Sequence, residues 1–121
     1  MTGLNSLDLT QIVTTALVEK KAQELVALDL RGLTIIADFF VVATGTSAPH
    51  LHALVEAVQE TVKRQGIKGV RAEGDEASGW VLLDLGDVVV HLFNPDQREF
   101  YKLERLWADA EHLPLPEGGT P

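Results

Sequence analysis

The stretch Trp80-Val81-Leu82-Leu83-Asp84-Leu85-Gly86-Asp87-Val88-Val89-Val90-His91-Leu92-Phe93 decides how this chain is read. Two runs of apolar and β-branched residues flank Gly86-Asp87, a two-residue turn with glycine first, so the segment reads as an antiparallel hairpin. That register sets Leu85 opposite Val88, Asp84 opposite Val89 and Leu83 opposite Val90. It continues with Leu82 opposite His91, Val81 opposite Leu92 and Trp80 opposite Phe93. Facing residues share a side. Val81, Leu83, Leu85, Val88, Val90 and Leu92 then form a wholly aliphatic side, which is core. Trp80, Leu82, Asp84, Val89, His91 and Phe93 form a mixed side. Aromatic anchors beside polar groups suit a protein-binding surface. A helix packed over that side would instead make His91 a hydrogen-bonded packing residue, and a one-residue slip of the turn would swap the faces.

Outward from the hairpin, the order of elements predicts an α/β fold. Asp8 or Ser6 caps a helix from Leu9 to Ala27, with Leu9, Ile12, Val13, Ala16 and Leu17 at helical spacing. Leu28-Asp29-Leu30 reads as a short strand, and residues 34–38 as a helical turn. Residues 39–44 are continuously apolar, the pattern of a central strand covered on both faces. Ser47 caps a second helix that carries Pro49 in its first turn, places Leu51, Leu54, Val55, Val58 and Val62 on one stripe, and ends at Gly66. Residues 70–73 make a short strand and residues 74–79 an acidic loop. Asn94 caps a final helix opened by Pro95, with Phe100, Leu103, Leu106, Trp107 and Ala110 as its stripe. The expected organisation is a flexible N-terminus over residues 1–7, one α/β domain over 8–111 and a loose tail over 112–121.

Composition limits the function classes. The chain has 121 residues, enough for one domain with its own core. Ten Lys and Arg stand against eighteen Asp and Glu, a formal charge of −8. Clustered cations that would release counterions from nucleic acid are missing, so little direct nucleic-acid binding is expected; the acidity suits a basic protein partner or, equally on composition alone, serves only solubility. There is no cysteine, which removes disulfides and thiolate chemistry. No basic leader with an apolar stretch opens the chain and no apolar run spans a bilayer, so a soluble, cytoplasmic protein without membrane contact is expected.

Catalytic constellations do not form along the sequence. His50 and His52 are two apart on a helix and do not share a face; His91 and His112 stand alone, so no metal site is expected. Gly45-Thr46-Ser47, at a strand end before a helix, resembles the glycine-serine turn of nucleotidyltransferases. Those enzymes hold metal ions with carboxylates alternating along a strand. Asp84 and Asp87 are three apart across a turn and cannot serve that way from one strand face. The turn also lacks the glycines and lysine of a phosphate-binding loop. No catalytic residue and no cofactor is assigned.

Three blocks together resemble one family. Gly32-Leu33-Thr34, Asp38-Phe39-Phe40-Val41-Val42 and Gly45-Thr46-Ser47 look like the first block of the ribosomal silencing, or Iojap-like, factors. The hairpin looks like their second block. Pro95, Phe100-Tyr101 and residues 103–110 look like their closing helix. The resemblance implies a single three-layer α/β/α domain with a mixed sheet, nucleotidyltransferase-like but without catalytic carboxylates. It also implies binding to the large ribosomal subunit through its ribosomal protein number fourteen, at the face that meets the small subunit. Such binding blocks subunit joining and lowers translation when nutrients are scarce. Trp80, Asp84, Asp87, His91, Phe93 and Tyr101 match positions characteristic of the family, and with Leu82 from the mixed side they are the expected contacts. Phe39 stands where Tyr is common, Leu85 where an aromatic is frequent and Asn94 where His is frequent. Two rivals remain open: a residual nucleotidyltransferase that binds nucleotide, and an adaptor for another protein that forms a homodimer through the exposed aromatic side.

Overall fold

A computed structural model describes residues 5–102, 105 and 107–116 of the chain. Its elements run α1 (Ser6–Glu19), β1 (Gln23–Asp29), β2 (Phe39–Thr44), α2 (Ala48–Arg64), β3 (Arg71–Asp75), β4 (Trp80–Asp84), β5 (Val88–Phe93), α3 (Pro95–Tyr101) and β6 (Glu111–His112). The strands make one sheet in the order β3-β4-β5-β2-β1-β6. β2 and β5 are parallel and the other pairs antiparallel, so the sheet is mixed, as expected.

The hairpin has the register read from its sequence, from Trp80 opposite Phe93 to Asp84 opposite Val89. The Leu85 amide then donates to the Val88 carbonyl at 2.9 Å. Gly86 sits at φ +100°, where a Cβ would be strained. The aliphatic side joins the main core. Val81, Leu83, Val88, Val90 and Leu92 pack with Phe39, Val41 and Ala43 of β2 under α1 and α2, and Leu85 is partly buried beside them. Every residue of β2 is buried. A parallel strand at the sheet's centre needs cover on both faces, and β2 has it. α2 follows its expected limits, with the Ser47 side chain accepting from the His50 amide.

Three expectations are corrected. First, the opening helix ends at Glu19, not Ala27, and residues 23–29 are strand. Ala, Glu and Leu make that segment a good local helix former. However, it can bury residues on both sides only when extended: Leu25 joins the main core, while Val26 and Leu28 join the cluster on the opposite face. Pairing with β2 outweighs local preference. A bulge between Gln23 and Val26, with Glu24 at φ +48°, adjusts the register. Second, residues 34–38 form no helical turn; the chain turns at residues 30–34, where the Leu33 and Thr34 amides both donate to the Leu30 carbonyl. Third, the closing helix stops at Tyr101, and Lys102 takes the left-handed conformation. Trp107 and Ala110 lie in turns, with the Ala110 amide on the Trp107 carbonyl; Leu103 and Leu106 of the expected stripe lie outside the described residues.

The limits drawn at residues 7 and 112 fall inside structure. α1 starts at Ser6, because the Asn5 side chain rather than Asp8 or Ser6 caps it, accepting from the Asp8 amide. His112 belongs to β6, opposite Leu28, and the Leu113 amide donates to the Ala27 carbonyl. Leu113 and Leu115 pack on the core, which holds this segment against the sheet. One face of the sheet thus carries the two long helices. Among the described residues the other carries α3, whose Tyr101 lies over Trp80 and Phe93, and the segment around Trp107 and Ala110, which rests on Phe40, Leu28, Leu30 and Val89.

Candidate functional site

The thin cover of the second face divides the expected site residues into two groups. His91 and Phe93 are buried, with His91 only 4 % exposed. Trp80, Leu82 and Asp84, one strand further out, are half-buried, and Asp87 and Tyr101 are exposed. The expectation that all seven are surface contacts is therefore corrected for His91 and Phe93. α3 ends over Phe93 and brings Tyr101 onto the Trp80 ring, the Phe40 ring lies 4.7 Å from His91, and among the described residues the cover of β4 is partial, leaving Trp80, Leu82 and Asp84 half-buried. The strand nearer the sheet's edge keeps its mixed side open.

The buried pair supports the open residues. Trp80 Nε1 donates to His91 Nδ1 at 3.3 Å, so the imidazole proton sits on Nε2. That Nε2 is buried without a partner among the described residues. Burial among Phe40, Trp80 and Phe93 pushes the His91 pKa down to about 4, because the charged form would lose its water. Phe93 stacks on the indole of Trp80 with centroids 5.3 Å apart, and the Tyr101 ring lies 4.5 Å from the same indole. Rings packed this way fix Trp80 in one orientation. α3 is itself anchored: Asn94 accepts from the Gln97 amide, its own amide donates to the Gly79 carbonyl, and buried Arg98 donates to Thr44 Oγ1 at 3.0 Å.

Between β3, β4 and α3 lies a cleft of about 250 Å³ lined by Glu73, Gly74, Ser78, Trp80, Leu82, Gln97 and Tyr101. Its floor is apolar and aromatic; its rim carries a carboxylate, a hydroxyl and an amide. Glu73 belongs to it because it sits opposite Leu82 in the β3–β4 ladder. Sequence reading missed Glu73, Ser78 and Gln97. An assumed register for β3 against β4 could have found Glu73, but a five-residue strand with every position exposed offers no hydrophobic pattern to set one.

The other side chains weighed for chemistry have structural work. Gly45 lets α2 approach: a Cβ there would come within 2.8 Å of the Leu51 backbone. His50 Nδ1 accepts from the Thr46 amide at 2.9 Å, so its Nε2 donates to the Lys20 carbonyl at 2.8 Å and ties α2 to the end of α1. His52 contacts Glu76 in the β3–β4 loop and Glu56 on its own helix, and the Glu76 hydrogen bond raises its pKa. Asp84 accepts from the Gly86 amide at 2.9 Å, which shapes the hairpin turn. Among the described residues no group of three or more His, Cys, Asp or Glu is placed to hold a metal ion, and no helix is long and apolar enough to cross a membrane.

Comparison with known proteins agrees across the whole chain. The family profile described as "Ribosomal silencing factor during starvation" matches residues 4–120. The ribosomal silencing factor of Halalkalibacterium halodurans is 42% identical over 112 residues, covering 93% of this chain and 96% of that protein. The mouse protein named mitochondrial assembly of ribosomal large subunit protein 1 is 41% identical over 73 residues, 58% of this chain and 32% of its own length. A crystal structure of a protein from Chromobacterium violaceum superposes with a TM-score of 0.83 at 34% identity, covering 95% of each chain. With a family profile spanning nearly every residue and a relative matched over almost its full length, the chain belongs to the ribosomal silencing factor family.

Proposed function

We propose that this protein represses translation sterically. It binds the large ribosomal subunit through a basic ribosomal protein, the one numbered fourteen, and its bulk keeps the small subunit from joining. No bond is made or broken in this reading, and the protein acts in the cytoplasm. Family membership supports the ribosomal target, and the name of the mouse relative points to the large subunit.

The observation that carries the contact surface is the open half of the mixed face. Trp80 and Tyr101 stand half-buried and exposed over a buried stack, with Leu82, Asp84 and Asp87 on the same hairpin. Rigid aromatic anchors lose little side-chain entropy on binding, and acidic neighbours steer a basic partner toward them. His91 and Phe93 serve this surface from beneath, by holding Trp80.

Subunit joining followed by light scattering, or on sucrose gradients, tests the reading. Saturating protein lowers the yield of joined ribosomes, and Asp84→Asn with Trp80→Ala weakens the effect while the fold persists by circular dichroism. Unchanged joining at saturation defeats the proposal. Calorimetric heat on adding nucleotide with Mg²⁺ would instead favour a nucleotidyltransferase.

A further inference from the structure

We propose that the cleft between β3, β4 and α3 receives the guanidinium of an arginine side chain, presented by the basic protein partner. The inference rests on the protein-binding reading above and assigns the chemistry of its central contact. Three features of the cleft converge. The cleft is aromatic along one side, where Trp80 and Tyr101 line it. It has a carboxylate on its opposite wall, Glu73 of the edge strand, which has no hydrogen-bond or ion-pair partner among the described residues. It is open at the sheet's edge, since among the described residues β3 pairs only with β4 and is exposed along its length.

A planar cation fits this arrangement better than a neutral or anionic group. Aromatic faces attract cations, and a guanidinium can lie flat on a ring while its N–H groups point sideways to a carboxylate. The Gln97 side-chain carbonyl supplies a further acceptor on the rim, while the Ser78 hydroxyl is engaged with the backbone of Asp75 and Trp80. The surrounding charge has the same sense: Asp75 faces Trp80 across the ladder and Asp84 lies further along the same side. Arg71 is the one cation of β3, and its register partner is Asp84, at the far end of that strand from Trp80. An anionic ligand would meet Glu73, Asp75 and Asp84 on this side of the β3–β4 ladder, with Arg71 as the one cation among them. Phe100, 75 % exposed and edge-on to Tyr101, extends the apolar rim over which the arginine's methylenes would pass.

The probe is N-acetyl-arginine amide, with N-acetyl-citrulline amide as its uncharged counterpart, titrated into the full chain. The indole N–H of Trp80 is followed by NMR and assigned with Trp80→Phe. The arginine probe gives a saturable shift at Trp80 and Gly74 that citrulline does not. Glu73→Gln weakens the arginine response about fivefold, the scale of one exposed cation–π and carboxylate contact. Glu56→Gln, an exposed carboxylate on α2, leaves it unchanged. No shift, equal shifts with both probes, or an undiminished response in Glu73→Gln overturns the inference. Co-sedimentation with large subunits separates this from the parent reading. If wild type and Glu73→Gln sediment equally, the cleft is not the partner's arginine site although the ribosomal function stands. If wild type does not sediment, the ribosomal function fails and the arginine titration still decides the cleft.

Discussion

Replacing His91 by Phe should remove a large part of the acid sensitivity of this fold. In the folded chain His91 stays neutral down to about pH 4, since burial with an unpartnered Nε2 opposes charging. In the unfolded chain an imidazole titrates near its ordinary value of 6.5. The folded pKa is depressed, so the neutral state's advantage is full above the unfolded value and is lost as pH falls from about 6.5 toward 4. Integrated from about pH 7.5 to about pH 5, the unfolded state's proton uptake at this one site lowers stability by about 2 kcal/mol. Urea denaturation at the two pH values measures this directly, with ellipticity as the signal. Wild type should lose about 2 kcal/mol more than His91→Phe on acidification. Phe suits the site because Phe40 and Phe93 already lie beside the ring and because it removes the Nε2 donor; Trp80 Nε1 loses its acceptor, a loss that is the same at both pH values and so drops out of the comparison. The opposite-signed contribution of exposed His52 is common to both proteins and cancels in the difference. Equal losses in the two proteins would refute the assignment of a buried, neutral His91.

Other outcomes follow from the same structure. Leu83→Ala, at a position with no exposure at the centre of the aliphatic side, should cost about 3 kcal/mol of unfolding free energy in urea titrations. Ser47→Ala deletes the acceptor for the His50 amide and should cost about 1 kcal/mol, read as a lower melting temperature at neutral pH. The His52 imidazole, observed by NMR, should titrate above the ordinary histidine range because Glu76 stabilises its charged form. Glu76→Gln should bring it back down. The His52–Glu76 contact therefore holds the β3–β4 loop below the unfolded histidine value and weakens as pH rises through the raised one.

Much of the sheet was legible because two kinds of local signal agree in it. In the hairpin, a glycine-first turn fixes the pairing and an unbroken aliphatic side confirms the face, so the register needs no tertiary information. In β2, five apolar residues and a buried threonine between a turn and a glycine have no exposed side to offer, which places the strand at the centre. α2 is bounded by a serine cap and a glycine stop that act within one turn of chain. The segment 20–29 lacked such agreement. Its residues favour helix by themselves, and only the neighbouring β2 edge makes the extended form the better way to bury Leu25 on one side and Leu28 on the other. The end of α3 was hidden for a similar reason, since an apolar stripe continues past Tyr101 while the backbone reverses at Lys102.

The sequence by itself determined the family, the mixed sheet and the identity of the two faces of the Trp80-to-Phe93 hairpin, because alternation and turn chemistry are properties of neighbouring residues. Tertiary structure alone decided which part of the mixed face stays open. Among the described residues, α3 and the segment around Trp107 cover β5 fully and β4 only in part, so His91 and Phe93 become the support and Trp80 the half-buried anchor. It also brought Glu73 to the rim of the cleft, through a strand pairing that an exposed, patternless segment could not announce. Burial depends on what packs from elsewhere in the chain, and that is the information a local pattern does not carry.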